Sequence, residues 1–460
     1  MSGDAAMREA ARLYGAGDLR GALVACERIL AGEPRHFYAL HLAASIALQE
    51  GRHEDCVRLA SRALEIQPGH AEVLSNRGAA LRAMCRFDEA LADYDAALAV
   101  APRAPSTLSN RGVTLAALGR HREALRSYDA ALQLQPEFPR ARLNRALSRL
   151  MLGEFRDAWH DYESRWAGGE TPTSARPFRV PEFTERDWGR GHRTALWTEQ
   201  GLGDQVLFAS LATEFAARGE RFVLEVDARL LAAFKRAHPD WEVVSREQSE
   251  SAFATCDRHL ALASAGRLLR TDAASFGRQP RALLAADPVR AAGYRERLHA
   301  APGSLVGISW RTFQPRLRTY YELTKSAPLA AFLELSNTPG VRLLDLQYGD
   351  TAAEREAFAR AGGRLERLEE LDLFNDIDGL LAAIAACDVV VTTSNVTAHL
   401  AGAIGKRTLL VYLSARPPFH YWAPDAAGRG RWYPSVELVT GPGLDTWPAV
   451  LQRAAQMLDA

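Results

Sequence analysis

The sequence predicts an α-solenoid followed by an α/β region of two parallel sheets, and three observations carry that prediction. The first third overlays itself when slid by 34 residues. The remainder alternates short apolar runs with helical stretches. The alternation falls into two successive sets, as expected of two doubly wound halves facing a cleft. The chain has 460 residues, 47% hydrophobic and 24% charged, which is ordinary globular composition with room for several domains.

The repeat comes first. Pro34, Pro68, Pro102 and Pro136 keep the interval, and so do the small residues Ala22, Cys56, Ala90, Ala124 and Ala158. Tyr94, Tyr128 and Tyr162 follow the same spacing. A period of 34 with small residues, "EAL" in the second helix and a closing proline is the tetratricopeptide signature. Each helical hairpin buries its apolar face only against its neighbours. Gly78, Gly112, Ala90 and Ala124 allow close helix contact. The proline ends the second helix because it lacks an amide donor and clashes with the preceding turn. Four full repeats are expected over about residues 3–138. A fifth, "RLNRALSRLMLGEFRDAWHDYESRW", carries the array to 168.

Asn76, Asn110 and Asn144 recur at one position of successive first helices. An amide side chain both donates and accepts, so the three are candidates to hold a peptide backbone in the groove. Their other use is to satisfy backbone groups between repeats. Leu42 takes the equivalent place in the second repeat, so the run is short. It is similar to the asparagine ladder of the tetratricopeptide-bearing protein O-GlcNAc transferases.

A Pro-, Gly-, Ser- and Thr-rich stretch, "AGGETPTSARPFRVPEF", then reads as a linker. The strand-like runs "TALWTEQ", "RFVLEV", "WEVVS" and "RHLALAS" follow, with helices expected over 205–218 and 228–237. A helix over 288–299 bridges to "LVGISW", "VRLLDLQY", "DVVVTT" and "TLLVYL". The expected halves are 169–300 and 301–460, the second closed by a C-terminal helix. Ligands of such sheets bind beyond the C-terminal ends of the strands, so the loops there are where chemistry is sought.

Three loops stand out. In "WTEQGLGDQVLFASL", Gly201 and Gly203 permit a tight turn and close approach of a ligand. Asp204 is expected at the start of the following helix, facing the cleft, either as a cap or as a functional carboxylate. The loop over 307–326, "GISWRTFQPRLRTYYELTKS", carries Arg311, Arg316, Arg318 and Lys325. It could neutralise phosphates or simply be solvated. In "TTSNVTAHLAGAIG", Ser394 or Asn395 is a good N-cap and Gly405 a natural helix end. That makes 392–397 a strand-to-helix turn whose amides can hold an anion. His399 lies in its first turn, as a ligand contact or a packed histidine. A helix start offers roughly half a positive charge and a diphosphate carries about two negative ones, so a nearby cation must help. Lys325 or an arginine of the second loop is the expected helper.

Composition narrows the function. Lys plus Arg and Asp plus Glu both number 56, so no global field favours nucleic acid. Neither an apolar signal core nor a stretch of about 18 apolar residues is seen, so no membrane span is expected. Cys26, Cys56, Cys85, Cys256 and Cys387 are scattered without metal-binding spacing, which argues for a reducing compartment and against structural zinc. The expected setting is the cytoplasm, and no metal cofactor is expected.

The stretches "GEFRDAWHDYESRW", "WTEQGLGDQVLF", "VGISW", "VRLLDLQYGD", "DIDGLLAAIAACDVVVTTSNVTAHLAGAIGK" and "RWYPSVELV" together resemble a bacterial family. Its members join a tetratricopeptide array to a glycosyltransferase domain related to the ADP-heptose:lipopolysaccharide heptosyltransferases. The resemblance implies a GT-B pair of Rossmann-like domains and a metal-independent transferase using a nucleotide sugar as co-substrate. It implies that Asp204 is catalytic. It places Gly201, Gly203, Trp310, Arg311, Lys325, Gln347, Ser394, Asn395, Val396, Thr397 and His399 around the donor. Many relatives have Asp-Thr where this chain has Ser394-Asn395, which puts the donor's identity in doubt. The mechanism implied is a single inverting displacement, with a protein acceptor in the repeat groove; a flagellin-like subunit is suggested by analogy alone. Two other functions fit the same residues: a non-catalytic scaffold with a degenerate transferase domain, and a transferase acting on a glycan or lipid-linked acceptor.

Overall fold

The structure is a computed structural model and describes residues 3–167, 175–312, 325–414 and 419–458. It divides into two compact units, Met1–Ser148 and Arg149–Ala460.

The first unit is a run of antiparallel helical hairpins. These are α1 (Gly3–Gly15) with α2 (Leu19–Gly32), α3 (Phe37–Gln49) with α4 (His53–Leu64), α5 (Ala71–Ala83) with α6 (Phe87–Val100), and α7 (Pro105–Ala117) with α8 (His121–Leu134). A left-handed residue closes the first helix of each hairpin: Gly17, Gly51 and Gly119 at φ 72 to 82°, and Cys85 at φ 59°. The regular spacing of glycine and tyrosine has a steric cause. A Cβ on Gly78 would lie 3.0 Å from the Tyr94 ring, and one on Gly112 would lie 2.5 Å from Tyr128. The tyrosine of each second helix therefore lies against bare backbone of the first.

The residue between that asparagine and that glycine supplies a further tie. Arg77 donates to Asp93 (2.7 and 2.8 Å) and Ser61 (3.0 Å). Arg111 donates to Asp95 (2.6 Å) and Ser127 (2.9 Å), and Arg145 to Asp129 (2.8 Å). Each of the first two arginines thus links the second helices of adjacent repeats.

The array read to 168 from sequence differs from the compact unit, which ends at Ser148 inside α9 (Pro139–Leu152). The reason is the packing of α10 (Phe155–Tyr162) within the second unit. Trp159 is buried, its indole donates to the Arg270 carbonyl at 2.8 Å, and its ring fills the place a Cβ on Gly266 would take. The boundary expected at 168/169 falls outside the described residues.

The second unit holds two wholly parallel sheets. The first comprises β1 (Arg193–Trp197), β2 (Arg221–Val226), β3 (Glu242–Ser245) and β4 (Arg258–Ala261), in the order β3-β2-β1-β4. The second comprises β5 (Ser304–Ser309), β6 (Val341–Asp345), β7 (Val389–Thr392), β8 (Thr408–Val411) and β9 (Val436–Val439), in the order β6-β5-β7-β8-β9. β7 and β8 are buried along their whole length, as their near-continuous apolar runs require. The helix expected over 205–218 is two, Leu202–Ala209 and Ala212–Ala217, parted where the Ser210 hydroxyl donates to the Leu207 carbonyl at 2.6 Å. The strand order reverses at β1/β4 in one sheet and at β5/β7 in the other. Crevices open beyond the C-terminal strand ends at such reversals. The loops after β1, β5 and β7 are therefore the ones placed for chemistry. Among the described residues, no helix is long and apolar enough to cross a membrane.

Candidate functional site

β1 ends at Trp197, and the loop that follows leads into the Leu202–Ala209 helix, whose N-cap is the exposed Gly201. Asp204 is not the cap. It stands in the first turn, half-buried, with the amides of Gly201 and of Asp204 itself favouring its ionised form. Burial pushes that carboxyl up to about 6, against the pull of Lys325 and of those amides. Lys325 comes from the other half and is itself half-buried. Its ammonium lies 4.9 Å from the Phe419 ring and 3.4 Å from the Tyr421 hydroxyl. Burial lowers its pKa while Asp204 opposes that shift.

The two halves meet where this helix faces the Val396–Ala403 helix. The contact is intimate: a Cβ on Gly203 would lie 2.7 Å from Cδ2 of His399. Gly203 and His399 were both expected to touch a ligand, and here they touch each other. His399 Nδ1 is 3.1 Å from the Tyr433 hydroxyl, and the rings of Tyr421 and Trp422 pack at centroid distances of 5.1 and 4.8 Å. Burial, helped by Lys325, lowers the imidazole to about 3, so it is neutral and offers an anion no charge at neutral pH. The ring is packed on these sides as a core histidine is.

The turn after β7 is shaped as the sequence suggests, with Asn395 as N-cap and Gly405 left-handed at φ 71°. Its chemistry needs a correction. Asn395 Oδ1 accepts from the Thr397 amide at 2.9 Å and the Ala398 amide at 3.4 Å. The Thr397 amide, expected to hold a ligand, is thus taken. Asn395 Nδ2 donates to the Ser309 hydroxyl at 3.0 Å, and the Ser394 hydroxyl accepts from the Trp422 indole at 2.9 Å. Val396 is half-buried. Among the described residues, the amides of Ser394, Asn395 and Val396 make no hydrogen bond.

The loop after β5 also differs from expectation. Trp310 is wholly buried in the core of the second sheet, and its indole donates to Glu354 at 2.9 Å. Gln347 is 2% exposed; its oxygen accepts from the amides of Trp310 and Arg311, both at 2.8 Å, and from the Ser309 hydroxyl at 3.0 Å. The Trp310 indole and the Gln347 amide oxygen are thus engaged within the protein, where they shape the loop. Arg311 pairs with Glu354 at 3.2 Å and donates to the Asp350 carbonyl, so its charge is already engaged. Arg316 and Arg318 lie outside the described residues. In the first unit, Asn76 donates to the Ser45 hydroxyl of the preceding repeat at 3.1 Å, an inter-repeat tie made to a side chain and not to the backbone. Asn110 and Asn144 are half-buried and make no side-chain hydrogen bond among the described residues.

Sequence reasoning overlooked the aromatic wall of Tyr421, Trp422 and Tyr433, and the charged layer beneath Asp204. Arg165 is buried and donates to both oxygens of the buried Glu199 at 3.0 Å. The signals were present: "HYW" and "RWYP" are dense in rings, and "DYESRW" pairs acids with an arginine. Among the described residues, no group of His, Cys, Asp and Glu is arranged to hold a metal ion.

Tetratricopeptide-repeat family models match residues 13–85 and 69–137. Residues 13–137 are tetratricopeptide repeats. A 287-residue stretch is 30% identical to Protein FlbA of Caulobacter vibrioides, covering 58% of this chain and 46% of that protein. The chain thus spans less than half the length of that curated relative, and the likeness reaches beyond the tetratricopeptide unit into the second. Solved structures similar to part of the chain include a thermophilic tetratricopeptide protein of Thermus thermophilus (24% identity, 36% of this chain and 91% of that one, TM-score 0.31). MamA is another (19% identity, 34% and 91%, TM-score 0.32). So is YrrB, described as a tetratricopeptide protein with an unusual peptide-binding site (17% identity, 35% and 82%, TM-score 0.32).

Proposed function

We propose that the second unit is a glycosyltransferase of GT-B type that moves a sugar from a nucleotide-sugar donor to an acceptor hydroxyl with inversion, the tetratricopeptide groove receiving a protein acceptor. The observation that carries this reading is Asp204. It is a carboxylate raised to about 6, at the C-terminal edge of a parallel sheet, electrostatically coupled to a lysine of the opposite half. A pKa just below neutrality suits a general base, since the group is ionised yet still basic.

The step is a single displacement. The acceptor oxygen bonds to the anomeric carbon as its proton passes to Asp204, and the bond from that carbon to the diphosphate breaks. The nucleoside diphosphate leaves with the electron pair, its charge opposed by Lys325 and by the amides of Ser394, Asn395 and Val396. His399, neutral, keeps the Gly203 turn against the Val396–Ala403 helix. Asn110 and Asn144 are the groove positions offered to an acceptor peptide.

A second reading is favoured by one observation, the capture of the Thr397 and Ala398 amides by Asn395. On that reading the second unit is a degenerate platform carried by a tetratricopeptide scaffold. A thermal-shift screen with UDP-GlcNAc, GDP-mannose, ADP-glucose and CMP-sialic acid separates the two, because a ligand of the folded state raises its apparent stability. The transferase reading expects a stabilising nucleotide sugar that is turned over by the wild type and bound but not turned over by Asp204→Ala. No shift and no turnover with any of them favours the platform.

A further inference from the structure

We infer that Arg165 is a positioning residue for Asp204, an assignment that rests on the transferase reading and deepens it. Arg165 belongs to the "DYESRW" segment that follows α10, a motif to which the mechanism gives no task. Its guanidinium is buried and held from several sides. Nη2 donates to Glu199 Oε1 and Oε2 at 3.0 Å each and to the Ser264 hydroxyl at 2.6 Å. Nη1 donates to Glu163 at 2.9 Å and to the Tyr162 carbonyl at 3.2 Å. The Trp166 ring covers the cation at 4.1 Å. The Ser264 hydroxyl and the Trp166 indole both donate to Glu163, at 3.0 and 3.2 Å, which fixes the second carboxylate in turn.

What this assembly grips is the loop that presents Asp204. Glu199 follows β1 directly after Thr198. The next residue, Gln200, donates from its side chain to the Tyr162 hydroxyl at 2.8 Å, and its carbonyl accepts from Gln205 at 3.1 Å. One short segment, residues 162–166, therefore holds two consecutive side chains at the head of the loop. The loop needs that hold. Gly201 and Gly203 flank the approach to Asp204 and have no side chains to anchor it, and glycine is the residue with the most conformational freedom to lose. A base displaced by about 1 Å loses roughly a hundredfold in rate, so the orientation of this loop bears directly on turnover. Arg165 touches neither donor nor acceptor; it acts through Glu199.

The test uses the full chain. Arg165→Met alone strands the buried Glu199, so Arg165→Met/Glu199→Met is the variant to use: it removes that pair together and leaves Glu163 its Ser264 and Trp166 donors. Arg165→Lys is the conservative partner. By hydrogen exchange, peptides covering 199–204 should exchange at least about tenfold faster in the double variant, with β2 peptides unchanged. With whichever of the four nucleotide sugars the wild type turns over, kcat should fall about a hundredfold with KM within about threefold. Arg165→Lys should recover part of that loss. A folded double variant with unaltered exchange at 199–204, or with kcat within about threefold of wild type, overturns the assignment. A wild type that turns over none of the four overturns the transferase reading instead, and exchange at 199–204 then still decides whether Arg165 holds the loop.

Discussion

Replacing Gly203 by alanine probes the contact between the two helices of the site. Gly203 lies in the first turn of the Leu202–Ala209 helix, and an added Cβ would stand 2.7 Å from Cδ2, 3.2 Å from Nε2 and 3.3 Å from Cγ of His399. The imidazole has no room to swing aside. Tyr433 holds Nδ1 at 3.1 Å, and Tyr421 and Trp422 pack against the ring. Two effects oppose each other. Alanine in place of a helical glycine gains about 0.5–1 kcal/mol. Forcing a methyl into a packed contact costs about 1–3 kcal/mol. The obstacle is a fixed ring rather than the end of a flexible chain, so the second effect wins and a net loss of about 1–2 kcal/mol is expected. Urea unfolding reads this as a lower midpoint at unchanged slope. His399→Ala opens a cavity and is destabilising by itself, but in the double variant the methyl has space. The two losses should therefore fall short of additive by at least about 1 kcal/mol. A Gly203→Ala protein as stable as wild type, or an additive double variant, would show that the two helices do not meet as described.

Three further perturbations have definite signs. Asp204 has a folded pKa of about 6 against an ordinary 3.8, so its favourable contribution is complete below the lower value and is lost as pH rises through about 6. Asp204→Asn should match wild type near pH 4 and exceed it by about 2–3 kcal/mol at pH 8, measured by urea unfolding at both pH values. Cys85 takes, at φ 59°, the place glycine takes in the neighbouring repeats, so Cys85→Gly should stabilise by about 0.5–1 kcal/mol. Gly119→Ala should lose about as much, and calorimetry of the two variants would reveal the opposite shifts. The arginine ties differ in burial. Asp93 is buried while Asp95 is mostly exposed, so Arg77→Met should cost about 1–3 kcal/mol and Arg111→Met under about 1 kcal/mol by chemical denaturation.

How much of this was legible depended on whether a residue's role is local. The left-handed closure at Gly405, the cap at Asn395 and the buried β7 and β8 follow from short-range rules, and the sequence displays them openly. β9 escaped notice because four residues, Val436–Val439, are too few to show a period. The resemblance places Gln347 and Trp310 around the donor, since both stand just past strand ends. A group in that place can equally satisfy backbone from behind, as Gln347 does with two amides, and only the neighbouring strand decides. Tyr433 reaches His399 across 34 residues and Arg165 reaches Glu199 across the same separation, distances at which no local pattern operates. The repeat array shows the converse. Its period announces the helices and the small residues that let them approach, but which ring each glycine admits, and the acid that each neighbouring arginine ties, are set by the packing of one helix on another.

The cap at Asn395 bears on the site's electrostatics as much as on its geometry. Its side chain takes two of the amides at the helix start but brings no charge, so the partial positive end of the helix, roughly half a unit, is left unopposed. An aspartate in that place would have cancelled it. His399 is neutral and Arg311 is committed to Glu354, so among the described residues at this turn the remaining positive charge is that of Lys325. On the transferase reading a diphosphate with about two negative charges meets, among the described residues, the partial charge of this helix start and the ammonium of Lys325, which Asp204 also draws on. That same lysine steadies the ionised form of Asp204. A donor that draws Lys325 toward its phosphates must weaken that support and make the carboxylate a stronger base, so donor binding and base strength are coupled through one ammonium group.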